Sequence, residues 1–186
     1  MQIIGGQFKK RKLFAPKTDK TRPSKSILRE TLFNICTPFI EDAVFLDLFA
    51  GSGAIGFEAL SRGAKKVIFI ENQKAAIEAI RKNAALLKVE DQIQIIQKDV
   101  YSSLSKVPEL CDLIFADPPY SQHSLNPDSH KLFKILEKHP ILNKKGRFFL
   151  ETHRKEPPYP KELKTLTFYK QRKLGNSQLF EYRMQD

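Results

Sequence analysis

The sequence carries little that would hold a chain together by means other than packing. It has two cysteines in 186 residues. Cys36 and Cys111 stand far apart, with no C-x-x-C pair, which speaks against a disulfide framework and predicts buried thiols in a reducing compartment. The four histidines, His123, His130, His139 and His153, lack metal-ligand spacing, so no metal is expected. No apolar run approaches the roughly 18 residues of a membrane span, and Met1 to Gly6 lacks the charged and apolar regions of a secretory leader. The expectation is a soluble cytoplasmic protein with no membrane partner. Internal repeats and low-complexity tracts are absent too, which excludes solenoids and disordered tails. A chain of this length can bury about two-thirds of its unfolded surface in one core. Residues 1–186 are therefore expected to form a single monomeric domain, with an N-terminal extension over 1–40 and a core over 41–186.

What the sequence has in excess is positive charge, +11 in total, and it is placed unevenly. Residues 1–30 hold nine Lys or Arg against Asp19 and Glu30, and residues 144–173 hold ten against three acids. The stretch between them has twelve basic and fourteen acidic residues, close to neutral. Two basic flanks around a neutral centre point to a polyanion, because Lys and Arg at phosphates release counterions and supply affinity that does not depend on sequence. The run Lys9-Lys10-Arg11-Lys12 is the densest part, and is a candidate nucleic-acid contact.

After residue 40, strand and helix signals alternate in the manner of an α/β fold. Ahead of that point, Gln2 to Ile4 and Leu13 to Ala15 could pair as a basic hairpin around Gly5-Gly6. Ile27, Leu28, Thr31, Leu32 and Ile35 then recur at helical spacing until Pro38. Strands are predicted over 44–49, 66–70, 93–96, 113–116 and 147–150, and helices from the glycine turn to near Gly63, over 74–87 and over 131–138. Two further strands, 163–170 and 178–183, should form an antiparallel hairpin around Gly175-Asn176. The resulting fold class is a Rossmann-like α/β domain, with a mostly parallel central sheet, an antiparallel C-terminal hairpin and a basic N-terminal extension.

Gly51-Ser52-Gly53-Ala54-Ile55-Gly56 fits G-x-G-x-x-G directly after a strand and opens a helix. Glycines there let a backbone approach a ligand, the helix start offers unpaired N–H groups, and Glu71 after the next strand can accept from ribose hydroxyls. Those parts suit NAD as well as S-adenosylmethionine. Asp47, inside the first strand and just ahead of the glycines, favours the second, because a carboxylate repels a pyrophosphate but attracts an ammonium or sulfonium. Asp99 could accept from an adenine amino group. Phe49, Ala50, Asn72 and Val100 flank these positions and complete the candidate cofactor-binding set.

Asp117-Pro118-Pro119-Tyr120 is the sharpest signal. An exocyclic amine on a nucleobase is a poor nucleophile, since its lone pair is delocalised into the ring. A catalyst must hold its N–H bonds while the lone pair turns outward. Asp117 and a backbone carbonyl supply acceptors, the prolines stiffen them, and Tyr120 offers a face on which an unstacked base can lie.

At these residues the chain resembles the RsmD family, bacterial 16S ribosomal RNA guanine-N2 methyltransferases of the class I fold. The likeness runs from Ile4-Gly5-Gly6 through Thr21-Arg22-Pro23, Leu28 to Ile35, Asp47 to Gly53 and Glu58 to Ala64, and on to Asp117-Pro118-Pro119-Tyr120. The resemblance implies S-adenosylmethionine as cofactor, held by Asp47, Gly51, Gly53, Glu71 and Asp99, with Asp117 and Tyr120 handling the guanine. It also places Arg22 and Arg29 near cofactor or RNA, and it makes 16S ribosomal RNA or the small subunit the partner. An adenine-N6 methyltransferase, an NAD-dependent oxidoreductase and a non-catalytic RNA-binding protein are the alternatives, since an Asp-Pro-Pro-Tyr site also suits adenine chemistry.

Overall fold

The computed structural model describes residues 1–16, 23–119, 127–155 and 163–185. Seven strands form one sheet in the order β3-β2-β1-β4-β5-β7-β6. These are β1 (Val44–Leu48), β2 (Lys66–Glu71), β3 (Ile93–Gln97), β4 (Cys111–Ala116), β5 (Leu142–His153), β6 (Leu166–Leu174) and β7 (Ser177–Met184). The first five run parallel, and β7 pairs antiparallel with both β5 and β6. A mostly parallel sheet with an antiparallel C-terminal hairpin is the architecture anticipated from the sequence. The hairpin turns at Gly175, whose φ of 61° suits the first position of a tight two-residue turn.

Strand faces alternate, and the two faces bury different helices. Phe45, Phe69, Leu113, Phe115 and Phe149 point to one side, where they meet Leu28, Leu32 and Phe33 of α1 (Pro23–Cys36), Phe57 and Leu60 of α2 (Ala54–Ser61), and Ile80 and Ala84 of α3 (Lys74–Leu87). Leu46, Leu48, Ile68, Ile114 and Leu150 point to the other, against Val100 of α4 (Val100–Ser103) and Leu132, Phe133 and Leu136 of α5 (Pro127–Lys138). Both parallel-sheet faces are thus covered, which explains the near-continuous apolar runs of β1, β2 and β4. Helix α2 lies hard against β2. A Cβ on Gly56 would come within 2.2 Å of the Phe69 ring, so only glycine permits this approach.

The N-terminal extension closes on itself through an antiparallel bridge between Gln2 and Lys12, with the Ile3 N–H donating to the Arg11 carbonyl at 3.0 Å and the Leu13 N–H to the Met1 carbonyl at 2.8 Å. Polar side chains fasten it to the core. Glu58, with none of its surface exposed, accepts from the Ile4 and Gly5 N–H groups at 2.7 and 2.8 Å and from Arg62 Nε at 2.8 Å. Ser61 Oγ accepts from the Phe8 N–H at 2.9 Å, and Gly6 sits so close that a Cβ would meet the Ser61 carbonyl oxygen at 1.7 Å. The Asn83 amide, buried in α3, accepts from the Phe14 N–H at 2.7 Å and donates to the Phe14 and Ser52 carbonyls at 3.0 and 3.1 Å. The extension is therefore fastened to α2, to α3 and to the glycine turn.

At the opposite edge, Glu181 is wholly buried on β7 and meets Arg147 at 2.5 Å, Arg172 at 3.0 Å and Arg183 at 3.2 Å. Three cations around one buried carboxylate compensate its desolvation and tie β5, β6 and β7 together. Cys36 and Cys111 are free and buried, and burial pushes both thiols up to about 12, so neither is a reactive nucleophile. Among the described residues, no helix is long and apolar enough to cross a membrane.

Candidate active site

The C-terminal ends of β1 and β4 open into a cleft walled by α1, by the glycine turn and by the start of α2. In an open α/β sheet this edge is where ligands bind. The first feature there is the turn itself. Phe49, Gly51 and Gly53 all take positive φ, at 59°, 54° and 80°. For Phe49 that conformation is uncommon and costly, and it is held by its surroundings. Its ring packs against Tyr101 with centroids 5.7 Å apart, and the Gly53 N–H donates to the Ala50 carbonyl at 2.8 Å.

Glu71 clasps the same turn. One of its oxygens accepts from the Gly51 N–H at 2.8 Å and the other from the Asn72 and Gln73 N–H groups, also at 2.8 Å. A carboxylate has about four acceptor positions, so capacity for a ligand hydroxyl remains. Glu71 is 7% exposed and reaches the cleft through Gly51, whose N–H it holds.

Asp47 lies on the cleft floor with 1% of its surface exposed. Its Oδ2 accepts from the Gly56 N–H at 3.0 Å. Burial raises its pKa well above the ordinary value, the nearby Asp117 and Glu71 carboxylates add to the rise, and the Gly56 N–H opposes it. A buried carboxylate next to two others is a site that a cation would relieve.

Phe49, Ala50, Gly51, Ser52, Asp47, Asp117 and Arg29 all line this cleft. Gly53, Glu71, Asn72, Asp99 and Val100 do not line it: Gly53 is the N-cap of α2, Glu71 and Asn72 stand at the end of β2, and Asp99 and Val100 follow β3. Asp99 caps α4, its Oδ1 accepting from the Ser102 N–H at 3.2 Å, while Val100 packs into the core. Pro118 is buried and Pro119 exposed. Tyr120 and Arg22 lie outside the described residues. Lys9, Lys10, Arg11 and Lys12 are all exposed on the extension, and Lys9, Lys10 and Lys12 line a shallow groove with Gln2, Ser26 and Arg29. Arg29 is common to groove and cleft. It is only 6% exposed, donates from one terminal nitrogen to the Gln2 carbonyl at 3.0 Å, and is covered rather than presented to solvent.

The family model described as "Conserved hypothetical protein 95" matches residues 1–183. The chain belongs to that family. It is 31% identical over 178 residues to "Putative rRNA methyltransferase YlbH" of Bacillus subtilis strain 168, covering 94% of each chain. It is 42% identical over 120 residues to "Ribosomal RNA small subunit methyltransferase D" of Escherichia coli strain K12, a match spanning 64% of this chain and 60% of that relative's length. Among solved structures, "Putative methyltransferase yhhF from Escherichia coli" superposes with a TM-score of 0.81 at 30% identity, over 100% of this chain and 98% of that one. The resemblance to the RsmD family seen in the sequence is thereby borne out, and the fold is that of class I methyltransferases.

One acidic residue lining the cleft is not singled out by the sequence motifs. Glu151, at the C-terminal end of β5, lines the cleft and is 6% exposed. A signal exists, because Glu151 follows an apolar strand as Asp47 and Asp117 do. Its place within the basic C-terminal segment masks that signal.

Proposed function

We propose that the protein transfers a methyl group from S-adenosylmethionine to the exocyclic N2 of a guanine in 16S ribosomal RNA. The observation that carries this reading is that Asp117, at the start of a Pro-stiffened loop, lines the same cleft as Asp47 and the glycine turn. A donor site and an acceptor for an amine therefore share one cavity.

The donor fits the residues present. Asp47 offers a buried carboxylate to its ammonium and sulfonium, Glu71 an acceptor for ribose hydroxyls, and the turn at Gly51 and Gly53 a backbone without side chains in the way. When bound, the donor supplies an electrophilic methyl group. The protein's own contribution is placement. Asp117 accepts from the amine N–H, draws electron density onto the nitrogen and would hold the proton that the nitrogen sheds when the methyl carbon exchanges its bond to sulfur, which leaves as a neutral thioether, for one to nitrogen. Pro118 and Pro119 restrict the backbone, so the acceptors are in place before the base arrives. Holding the amine in line at near-attack distance is worth about 7 kcal/mol or more of barrier reduction. The exposed lysines of the extension supply salt-dependent affinity for RNA, leading along their groove to Arg29 and the cleft.

The names of the relatives support a ribosomal RNA substrate. Transfer of tritium from labelled S-adenosylmethionine into small-subunit RNA, followed by nucleoside digestion, separates N2-methylguanosine from N6-methyladenosine. Label in methyladenosine would replace this reading with the adenine one. Tight binding of NAD without S-adenosylhomocysteine binding would remove the methyl donor altogether.

A further inference from the structure

Strands β1, β4 and β5 bring three carboxylates to one face at the ligand-binding edge, Asp47, Asp117 and Glu151, and methyl transfer as proposed uses the first two. Side chains on β1, β4 and β5 alternate, and Phe45, Phe115 and Phe149 all point toward α1 and α2. Asp47 follows Phe45 by two residues, Asp117 follows Phe115 and Glu151 follows Phe149, so all three share that face. The pairing Asp47↔Phe115 and Phe115↔Phe149 sets Asp47 one step lower. Asp117 and Glu151 follow the paired residues Ala116 and Leu150, one strand spacing apart, and both line the cleft. Strand spacing is about 4.8 Å.

We infer that Glu151 is a specificity-determining residue that accepts a hydrogen bond from the ring N1–H of the target guanine while Asp117 holds the neighbouring N2 amine. This rests on the proposed guanine-N2 reading and deepens it. Guanine presents N1–H and N2–H as adjacent donors on one edge, which two adjacent carboxylates match. Adenine presents its amine beside an N1 that carries only a lone pair, so Glu151 would face an acceptor with an acceptor. A site built to bind a donor rejects an analogue lacking it far more strongly than an apolar pocket rejects an extra methylene, by as much as about 10⁴-fold. Glu151 thereby supplies the discrimination that an Asp-Pro-Pro-Tyr loop lacks.

The test uses the full chain and small-subunit particles rebuilt on unmethylated 16S ribosomal RNA. The guanine that the wild-type enzyme labels is replaced by 2-aminopurine, which keeps the exocyclic amine and has no N1–H. Wild-type enzyme should label the 2-aminopurine particle about 100-fold more slowly or worse. Glu151→Gln, whose amide can donate to the bare N1, should lose most activity on guanine and bring the two rates within about 10-fold of each other. That collapse of the ratio separates recognition of N1 from the loss of the exocyclic carbonyl oxygen at C6, and a purely structural role would slow both substrates alike. Glu151→Asp keeps the carboxylate and should keep the preference, which maintains the test if the glutamine variant folds poorly. A wild-type enzyme indifferent to the replacement, an unchanged ratio in folded Glu151→Gln, or a lost preference in Glu151→Asp overturns the inference. Wild-type label in adenine rather than guanine overturns the underlying reading instead.

Discussion

Asp47→Asn should move two measurable quantities in opposite directions. The side chain is 1% exposed, its pKa is raised well above 3.8 by burial and then by Asp117 and Glu71, and the Gly56 N–H is its hydrogen-bonding counterweight. A carboxyl whose pKa is higher in the folded than in the unfolded state holds a proton on folding across the window from 3.8 upward to the raised value. Stability from this group is therefore greatest below that window and falls as pH rises through it. Asparagine keeps the shape and an oxygen for Gly56 but removes the charge. At pH 7, without donor, the variant should gain about 1–2 kcal/mol, as other replaced buried charges do, or about 2–8 °C in Tm. The gain should shrink toward pH 4. Binding should suffer, because a charge-assisted hydrogen bond to the donor's ammonium is worth about 1.5–3 kcal/mol, or about 10- to 150-fold in Kd. Thermal melts from pH 4 to 8 and calorimetry with S-adenosylhomocysteine measure the two effects. A variant that melts lower at pH 7 and binds as tightly as wild type would refute this dual role of Asp47.

Other outcomes follow from the same geometry. Asp117→Ala should lower kcat by about 100-fold or more while the Kd for S-adenosylhomocysteine stays within about 2-fold, as single-turnover assays and calorimetry can show. Glu58→Ala leaves two backbone N–H groups and Arg62 without their acceptor, and should cost about 3–5 kcal/mol, seen as a Tm lower by about 6–20 °C. Gly56→Ala should cost about 1–3 kcal/mol through overpacking against Phe69, measured by urea denaturation. Replacing Lys9, Lys10 and Lys12 together by alanine should flatten the dependence of log K for RNA on log salt by about 2, with no change in donor binding.

Much of the fold is legible in the sequence because punctuation and periodicity agree. Residues 74–87 read as a helix with the bounds observed, since its alanine-rich interior ends at Leu87 before Lys88 turns to positive φ. The strand, glycine turn and helix of β1 and α2 carry their own signature. Elements stay hidden where tertiary pairing overrides local pattern. Strand β5 begins at Leu142 rather than 147, because its first residues, which include Lys144, Lys145 and Gly146, break the apolar run while Leu142 pairs with Cys111 across a register shift. The one-turn helix α4 is too short for periodicity, so its cap, Asp99, reads from sequence only as a ligand contact. The site is legible where acid follows apolar strand beside glycine or proline. Glu151 has the first feature without the second. Arg29 looks like a surface cation because nothing in a helical repeat reveals that an N-terminal segment will fold over it.

The fastening of that segment sets limits on how far the chain can be shortened. Asn83 divides one side-chain amide between Phe14 and Ser52, and Glu58 shares its carboxylate among Ile4, Gly5 and Arg62. Trimming residues 1–16 to isolate a minimal catalytic unit would strand these buried groups and slacken the loop that is to carry the donor. The arm proposed to contact RNA is thus also a brace for the cleft, and tolerance to N-terminal deletion should end before Ile4.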